Sequence, residues 1–315
     1  MHKHLLLLFE IYLVCHLVNL SAETALGQQQ SAAARLGYPA DAKLLIIHAD
    51  DLALSHSVDQ ASLSALAKRA VTSGSIMVPC PWLTEVAAYA KEHPDADLGL
   101  HLTLTSEWKN FRWGPLASRG DVVGLLDPMG YLWPDTPLVM KNAKPAEVEM
   151  EIRAQIETAL KAGIRPTHLD SHMATLFAPA FFPVYIKVAR EYGLPFFALR
   201  ALTRAPALRS QVKDSDIIPD YYVMATETVK PERWTEYYLE VLRSLKPGLT
   251  QMIVHLGKDD ADLQAITEGH PAYGSAWRQR DFETVTGAEF RKALEENHVI
   301  LVGWKEIKKA SAAKE

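Results

Sequence analysis

The chain has 315 residues, 48% hydrophobic and 23% charged, enough for one large globular domain or two small ones. Its formal net charge is −5 with the signs interspersed, which excludes a basic field for nucleic acid and an acidic or basic tail. Cys15 and Cys80 are the only cysteines, so a cysteine-built metal cluster is excluded and any metal site must use histidines and carboxylates.

Residues 1–27 read as a secretory signal. A short basic start at His2, Lys3 and His4 precedes an apolar centre, then the small residues Ser21, Ala22, Ala25 and Gly27. Glu10 and His16 interrupt the apolar stretch, and no later stretch approaches the ~20 apolar residues of a membrane span. Removal of the signal leaves Cys80 alone, without an intrachain disulfide. The expected location is the periplasm or the exterior. Residues 28–37 read as a disordered, Ala-rich lead-in, and residues 38–310 as the folded domain.

From there strand-like and helix-like segments alternate. Residues 43–48 form an apolar strand ending in Ala49-Asp50-Asp51. Residues 57–71 read as a helix, 75–78 as a strand, 82–92 as a helix ending before Pro94, and 97–103 as a strand. Residues 107–137 break the rhythm with Gly, Pro and Trp and read as a long loop. Residues 145–162 are the clearest helix, with Val148, Ile152, Ile156 and Leu160 every four residues and Gly163 at the C-cap. A strand at 166–172, a helix near 184–192, a strand at 195–199 and a helix at 231–245 follow. The series ends with strands at 251–255 and 299–303 around a helix at 287–297. Such alternation predicts parallel strands covered by helices: a single-domain α/β fold, a distorted (β/α) barrel, with an open parallel sheet as the alternative. Function then gathers at the C-terminal ends of the strands.

Polar clusters sit at those ends. Asp50 and Asp51 directly follow an apolar strand, where two carboxylates are costly unless they bind something. Capping of the next helix accounts for one of them, not both. His101, inside Gly99-Leu100-His101-Leu102-Thr103, is by itself as compatible with a core histidine as with a ligand. In Pro166-Thr167-His168-Leu169-Asp170-Ser171-His172, alternation places His168, Asp170 and His172 on one face. His255 ends a further strand. A site of two histidines and one aspartate binds a divalent ion and leaves positions for water and substrate, while a second carboxylate and a further histidine handle protons. No phosphate loop, serine elbow or dinucleotide fingerprint competes.

On Leu45-Ile46-Ile47-His48-Ala49-Asp50-Asp51-Leu52, on Gly99 to Thr105 and on Pro166 to His172, the chain resembles the YdjC-like carbohydrate deacetylases, relatives of the polysaccharide deacetylases. Trp277-Arg278-Gln279-Arg280-Asp281-Phe282 and Leu301-Val302-Gly303-Trp304 extend the resemblance over nearly all residues after 40. It implies a distorted (β/α) barrel and metal-dependent hydrolysis of N-acetyl groups on sugars. By position, Asp51, His101 and His172 would hold one divalent ion, zinc or magnesium, with manganese or cobalt also compatible. Asp50 would be the general base and His255 the general acid; the two aspartates could exchange roles. The chain departs from the family pattern at His48, where Asn is common, at Leu52-Ala53, where Phe-Gly is common, at Met173 to Leu176, where histidines recur, and at Leu256, where Pro is usual.

His168 and Asp170 are further candidates for substrate contact, as are Trp108 and Trp113 in the aromatic loop that also carries Phe111, Tyr131 and Trp133. Such rings pack on sugar faces, or they pin the loop to the domain. An acetylated carbohydrate is the expected partner, with no nucleic acid and no stable membrane span; a homodimer is left open. The competing functions are an O-acetyl esterase and a sugar-binding protein without catalysis.

Overall fold

The computed structural model describes residues 31–312. The signal expectation and Cys15 lie outside the described residues. Order begins earlier than expected: Ala32–Arg35 is a helical turn with Ala32 and Ala33 buried, and Arg35 donates to the carbonyls of Ser215 at 2.5 Å and Asp216 at 2.7 Å. The folded domain thus takes in part of the lead-in read as disordered, because small alanines there fit against the core.

Seven strands form one parallel sheet: β1 (Lys43–Leu52), β2 (Ser73–Ile76), β3 (Leu98–Leu102), β4 (Leu169–Ser171), β5 (Tyr221–Val223), β6 (Gly248–Val254) and β7 (Val299–Leu301). Their order is β4-β3-β2-β1-β6-β5, with β7 also on β1. β1 is buried at every position after Lys43, as befits an apolar strand covered on both faces. One of its edges is shared. Lys43–Leu45 pair with β7 and His48–Leu52 with β2, while β6 lines the opposite edge. The sheet curls into a half-barrel flanked by helices, a distorted (β/α) barrel within a single domain. Among the described residues no ladder joins β4 to β5, so the barrel stays open there.

Most expected elements appear within a few residues. The helix Pro145–Lys161 is followed by Gly163 at φ +86°, the left-handed turn that glycine allows. Its buried stripe runs through Val148, Ile152, Ile156 and Ala159, not Leu160, because a strict four-residue step drifts off a 3.6-residue face. The expected strand at 195–199 reduces to one bridge, Leu169 to Phe196. The helix Ser275–Thr286 escapes sequence reading because its buried side mixes Trp277, Phe282 and Val285 with Arg278, Asp281 and Thr284. The segment after β3 is a folded loop. Glu151, fully buried, accepts the backbone N–H groups of Leu116 and Ala117, and Arg112 donates to Asp127 and the Leu132 carbonyl. No described helix is long and apolar enough to cross a membrane.

Candidate metal centre

Parallel strands deliver their C-terminal ends to one rim. That rim receives Asp50 and Asp51 from β1, His101 from β3, Asp170 from β4, His172 from the 3-10 turn just after β4, and His255 just after β6. Adjacent strand residues normally face opposite ways. Asp50 and Asp51 both reach the site because Asp51 adopts φ 70° and the β1–β2 register shifts between Ala49 and Leu52. This bulge re-aims one carboxylate. Ala53 follows at φ 74°, and after His172 the chain bends through Met173 and Ala174 at φ 50° and 56°. Left-handed backbone at such residues costs about 1–3 kcal/mol each and gathers at functional sites.

Asp51, His101 and His172 come together, all buried, with one donor atom from each lying within 4.8 Å of the others. Asp51 Oδ1 stands 3.4 Å from His101 Nε2 and 3.4 Å from His172 Nδ1, and it has no hydrogen bond. Ligand atoms bound tetrahedrally at 2.0–2.1 Å are separated by about 3.4 Å. The other Asp51 oxygen is taken by Arg278, whose Nη2 donates to it at 2.6 Å. Each histidine is fixed from behind: His101 Nδ1 lies 2.6 Å from Asp170, and His172 Nε2 lies 3.1 Å from both oxygens of Glu107. A carboxylate behind each imidazole sets the tautomer and aims the free nitrogen forward, as metal-binding histidines require. The set of three therefore fits a divalent ion.

Beneath lies a second layer. His48 Nε2 is 2.8 Å from Asp170 and 3.3 Å from Asp50, and its Nδ1 is 2.7 Å from the Ser73 hydroxyl. Deeper still, His168 is fully buried and stacks on Trp304 with ring centroids 4.8 Å apart. Gly99 allows this, since a Cβ there would collide with the His168 ring. The expected strand at 166–172 shortens to Leu169–Ser171, so only Asp170 of the three lies within it, yet His168, Asp170 and His172 meet successive layers: Trp304 for His168, His48 and His101 for Asp170, and Asp51 for His172. Only His172 reaches the upper set.

Burial and charge set the protonation states. Burial favours neutral imidazole, but Asp170 and Asp50 outweigh it at His101 and raise it to about 9; Glu107 and Asp51 raise His172 to about 10. Burial opposes ionisation of Asp51, yet Arg278 and then His172 hold it well below the usual carboxylate range. Burial pushes Asp50 up to about 6 against the pull of His101. Burial also lowers His255 to about 3, with Asp51 opposing. His255 sits against Tyr273, its Nε2 3.9 Å from Asp50, and Asp281 accepts its backbone N–H at 2.9 Å.

Glu107 was not among the site residues expected from sequence, and Arg278 entered only within the motif that extends the resemblance, without a catalytic role. Glu107 opens an irregular loop, and Arg278 sits on a helix without an apolar stripe. The two loop tryptophans expected at substrate are enclosed, at 3% exposure for Trp108 and 4% for Trp113, while Trp133 is half-buried. Trp113 donates its indole N–H to the Thr105 carbonyl, and Trp108 packs against His270. A hollow lined by Thr72, Asp97, Gly303 and Lys305 lies at the other end of the sheet, where β2 and β3 begin, opposite the rim that carries Asp51, His101 and His172.

Fold and donor set define a parallel α/β barrel protein with a buried centre of two histidines and one aspartate. The chain belongs to the YdjC-like protein family, whose model matches residues 44–296. It is 30% identical over 276 residues to a carbohydrate deacetylase of Thermus thermophilus, covering 85% of this chain and 95% of that protein. It is 26% identical over 266 residues to a carbohydrate deacetylase of Thermoanaerobacter pseudethanolicus, covering 84% and 100%. A crystal structure from Enterococcus faecalis V583, described as a cellobiose-phosphate cleavage protein, superposes with a TM-score of 0.70 at 27% identity, covering 84% of this chain and 99% of that one.

Proposed function

We infer that the protein is a metal-dependent hydrolase that removes N-acetyl groups from a carbohydrate. The observation that carries this is the unpartnered Asp51 oxygen held 3.4 Å from two backed histidines, with Asp50 alongside. The relatives' description as carbohydrate deacetylases supports the substrate class. The apolar segment within residues 1–27 supports an exported enzyme.

Asp51, His101 and His172 would hold the divalent ion, zinc or magnesium in the first place. When bound, it supplies Lewis acidity, which acidifies water and polarises a carbonyl. The remaining work falls to side chains. Asp50, at about 6, is ionised at neutral pH and still basic enough to take a proton from the attacking water. His255 is neutral at rest and cannot store the proton for the leaving group. It relays one instead, accepting it from Asp50 and passing it to the amine nitrogen as the C–N bond breaks. Water and acetamide thus become acetate and amine. An amine leaves poorly without that proton, which is why the Asp50–His255 pairing favours N-acetyl over O-acetyl groups. Arg278 holds Asp51 ionised, and Asp170 and Glu107 position the two histidines. Asp170 and His168 act beneath the cleft in this reading, not on substrate, and Trp113 and Trp108 pin the loop.

The test is acetate release from N- and O-acetylated sugars by metal-stripped protein, with and without added zinc, magnesium, manganese or cobalt. Release is expected only with metal, and Asp51→Ala abolishes it. Asp50→Asn is expected to bind the ion and lose turnover by roughly 10²- to 10⁴-fold. Full turnover by that variant with the ion bound would show that Asp50 is not the base.

A further inference from the structure

Trp108 and Trp113 are enclosed, but one tryptophan on the rim is open. Trp82 is 38% exposed. It stands between the end of β2 and the helix Leu83–Glu92, on the same rim of the sheet from which Asp50 and Asp51 project. Its backbone N–H donates at 3.1 Å to the carbonyl of Ala53, two residues beyond Asp51. The segment leading to it borders the centre. Cys80, two residues earlier, is buried, and burial together with the charges of Glu107 and Asp51 pushes its thiol well up.

The indole has a backing. His56, at the start of the helix His56–Ala67, lies against it with ring centroids 5.0 Å apart and planes 31° apart. His56 is itself held from two sides: Nδ1 lies 2.9 and 3.0 Å from the Glu85 oxygens, and Nε2 lies 2.7 Å from the Gln60 amide. Glu85, half-buried, and Gln60, exposed, hold the His56 that backs the indole, so the ring forms an aromatic shelf with carboxylate and amide groups one side chain away. That combination suits a pyranose, whose C–H face packs on an aromatic ring while its hydroxyls meet carboxylate and amide groups.

We propose that Trp82, backed by His56, forms a second sugar subsite that seats the unit next to the one being deacetylated. This rests on the deacetylase reading and narrows its substrate to an oligosaccharide. Glu85 and Gln60 take hydroxyls of the seated ring, and Trp82 sets how the chain runs out of the centre.

The test compares Trp82→Ala with the unsubstituted protein on N-acetylglucosamine and on its trimer. Trp82→Ala is expected to raise KM for the trimer roughly 3- to 10-fold, as for loss of one aromatic contact. It leaves the monomer's kcat/KM and the thermal midpoint unchanged, and Trp82→Phe recovers most of the loss. A second arm titrates metal-stripped protein with the trimer by calorimetry and needs no turnover. If no sugar is deacetylated, the deacetylase reading fails alone, and the calorimetric difference between the two proteins still decides the subsite. Equal losses on monomer and trimer, no loss on the trimer, or no trimer binding to the unsubstituted protein overturns the proposal.

Discussion

Two layers of histidine and carboxylate lie one above the other in the half-barrel, and they differ in spacing. In the lower layer Asp170 closes on His101 at 2.6 Å and on His48 at 2.8 Å. In the upper layer Asp51 Oδ1 faces His101 and His172 at 3.4 Å without bonding to either. The residue types are the same, and sets that include His48, His168, Asp50 and Asp170 also bring three donor atoms close together. Donors and acceptors in contact satisfy one another and leave no room for an ion. Asp50 Oδ1 and His168 Nε2 also lack a partner, but the Asp170 that both other sets share has its two oxygens closed by His101 and His48, whereas the Asp51 oxygen of the upper set is left between two carboxylate-backed imidazoles. Crowding of ligand residues is therefore a weaker mark of a metal site than a gap held open within the crowd.

The sharpest way to break this contrast is to cut each layer in turn. His172→Ala removes a ligand and is expected to lower zinc affinity by more than ~100-fold, beyond the ~10- to 100-fold typical when only a supporting group is lost. Asp170→Asn is such a supporting loss, and its effect is expected within the latter range. Calorimetric titration of both variants checks the ranking, and the reverse order would place the ion in the lower layer.

Proton competition gives the next effect. In the metal-free protein His101 titrates at about 9 and His172 at about 10, so both carry protons at neutral pH and an ion must displace them. Affinity is expected to rise with pH, by up to ~100-fold per unit while both protons remain, and to level off above the higher value. The same raised values stabilise the metal-free fold fully below the unfolded histidine value of about 6.5. That contribution is lost as pH rises through the folded values. Titrations in buffers of different ionisation enthalpy should register about two protons released per ion. No release would remove both histidines from the ligand set.

The smallest effect concerns the bulge that aims Asp51. Ala53 holds φ 74°, a conformation that glycine adopts without strain. Ala53→Gly is expected to raise stability by about 1 kcal/mol, read as a shift of roughly 2 °C in the melting midpoint, with metal affinity unchanged.

What could be read from the sequence followed local periodicity. The apolar run of β1, its terminal aspartates and the inward face shared by His168, Asp170 and His172 are properties of strand parity, which the sequence carries openly. That Asp50 and Asp51 face the same way breaks that parity, and it depends on a backbone angle with no sequence mark other than a residue type that tolerates it. Glu107, and the place of Arg278 beside Asp51, were hidden for another reason. One opens an irregular loop, and the other sits on a helix whose buried side is half polar, so neither belongs to a periodic pattern. The tryptophans show the limit from the opposite side: composition shows that rings are present, while only packing separates enclosed Trp108 and Trp113 from open Trp82.

The contact between Arg278 and Asp51 spans 227 positions of chain. During synthesis β1, β3 and β4 all emerge before the helix that carries Arg278. β6, which completes the pairing of β1, also emerges late, and until the helix carrying Arg278 docks Asp51 lacks the guanidinium that favours its ionised form when buried. A truncated or nascent chain therefore cannot assemble the centre early. Capacity to bind an ion becomes a report on whether the last third of the polypeptide has been made and folded.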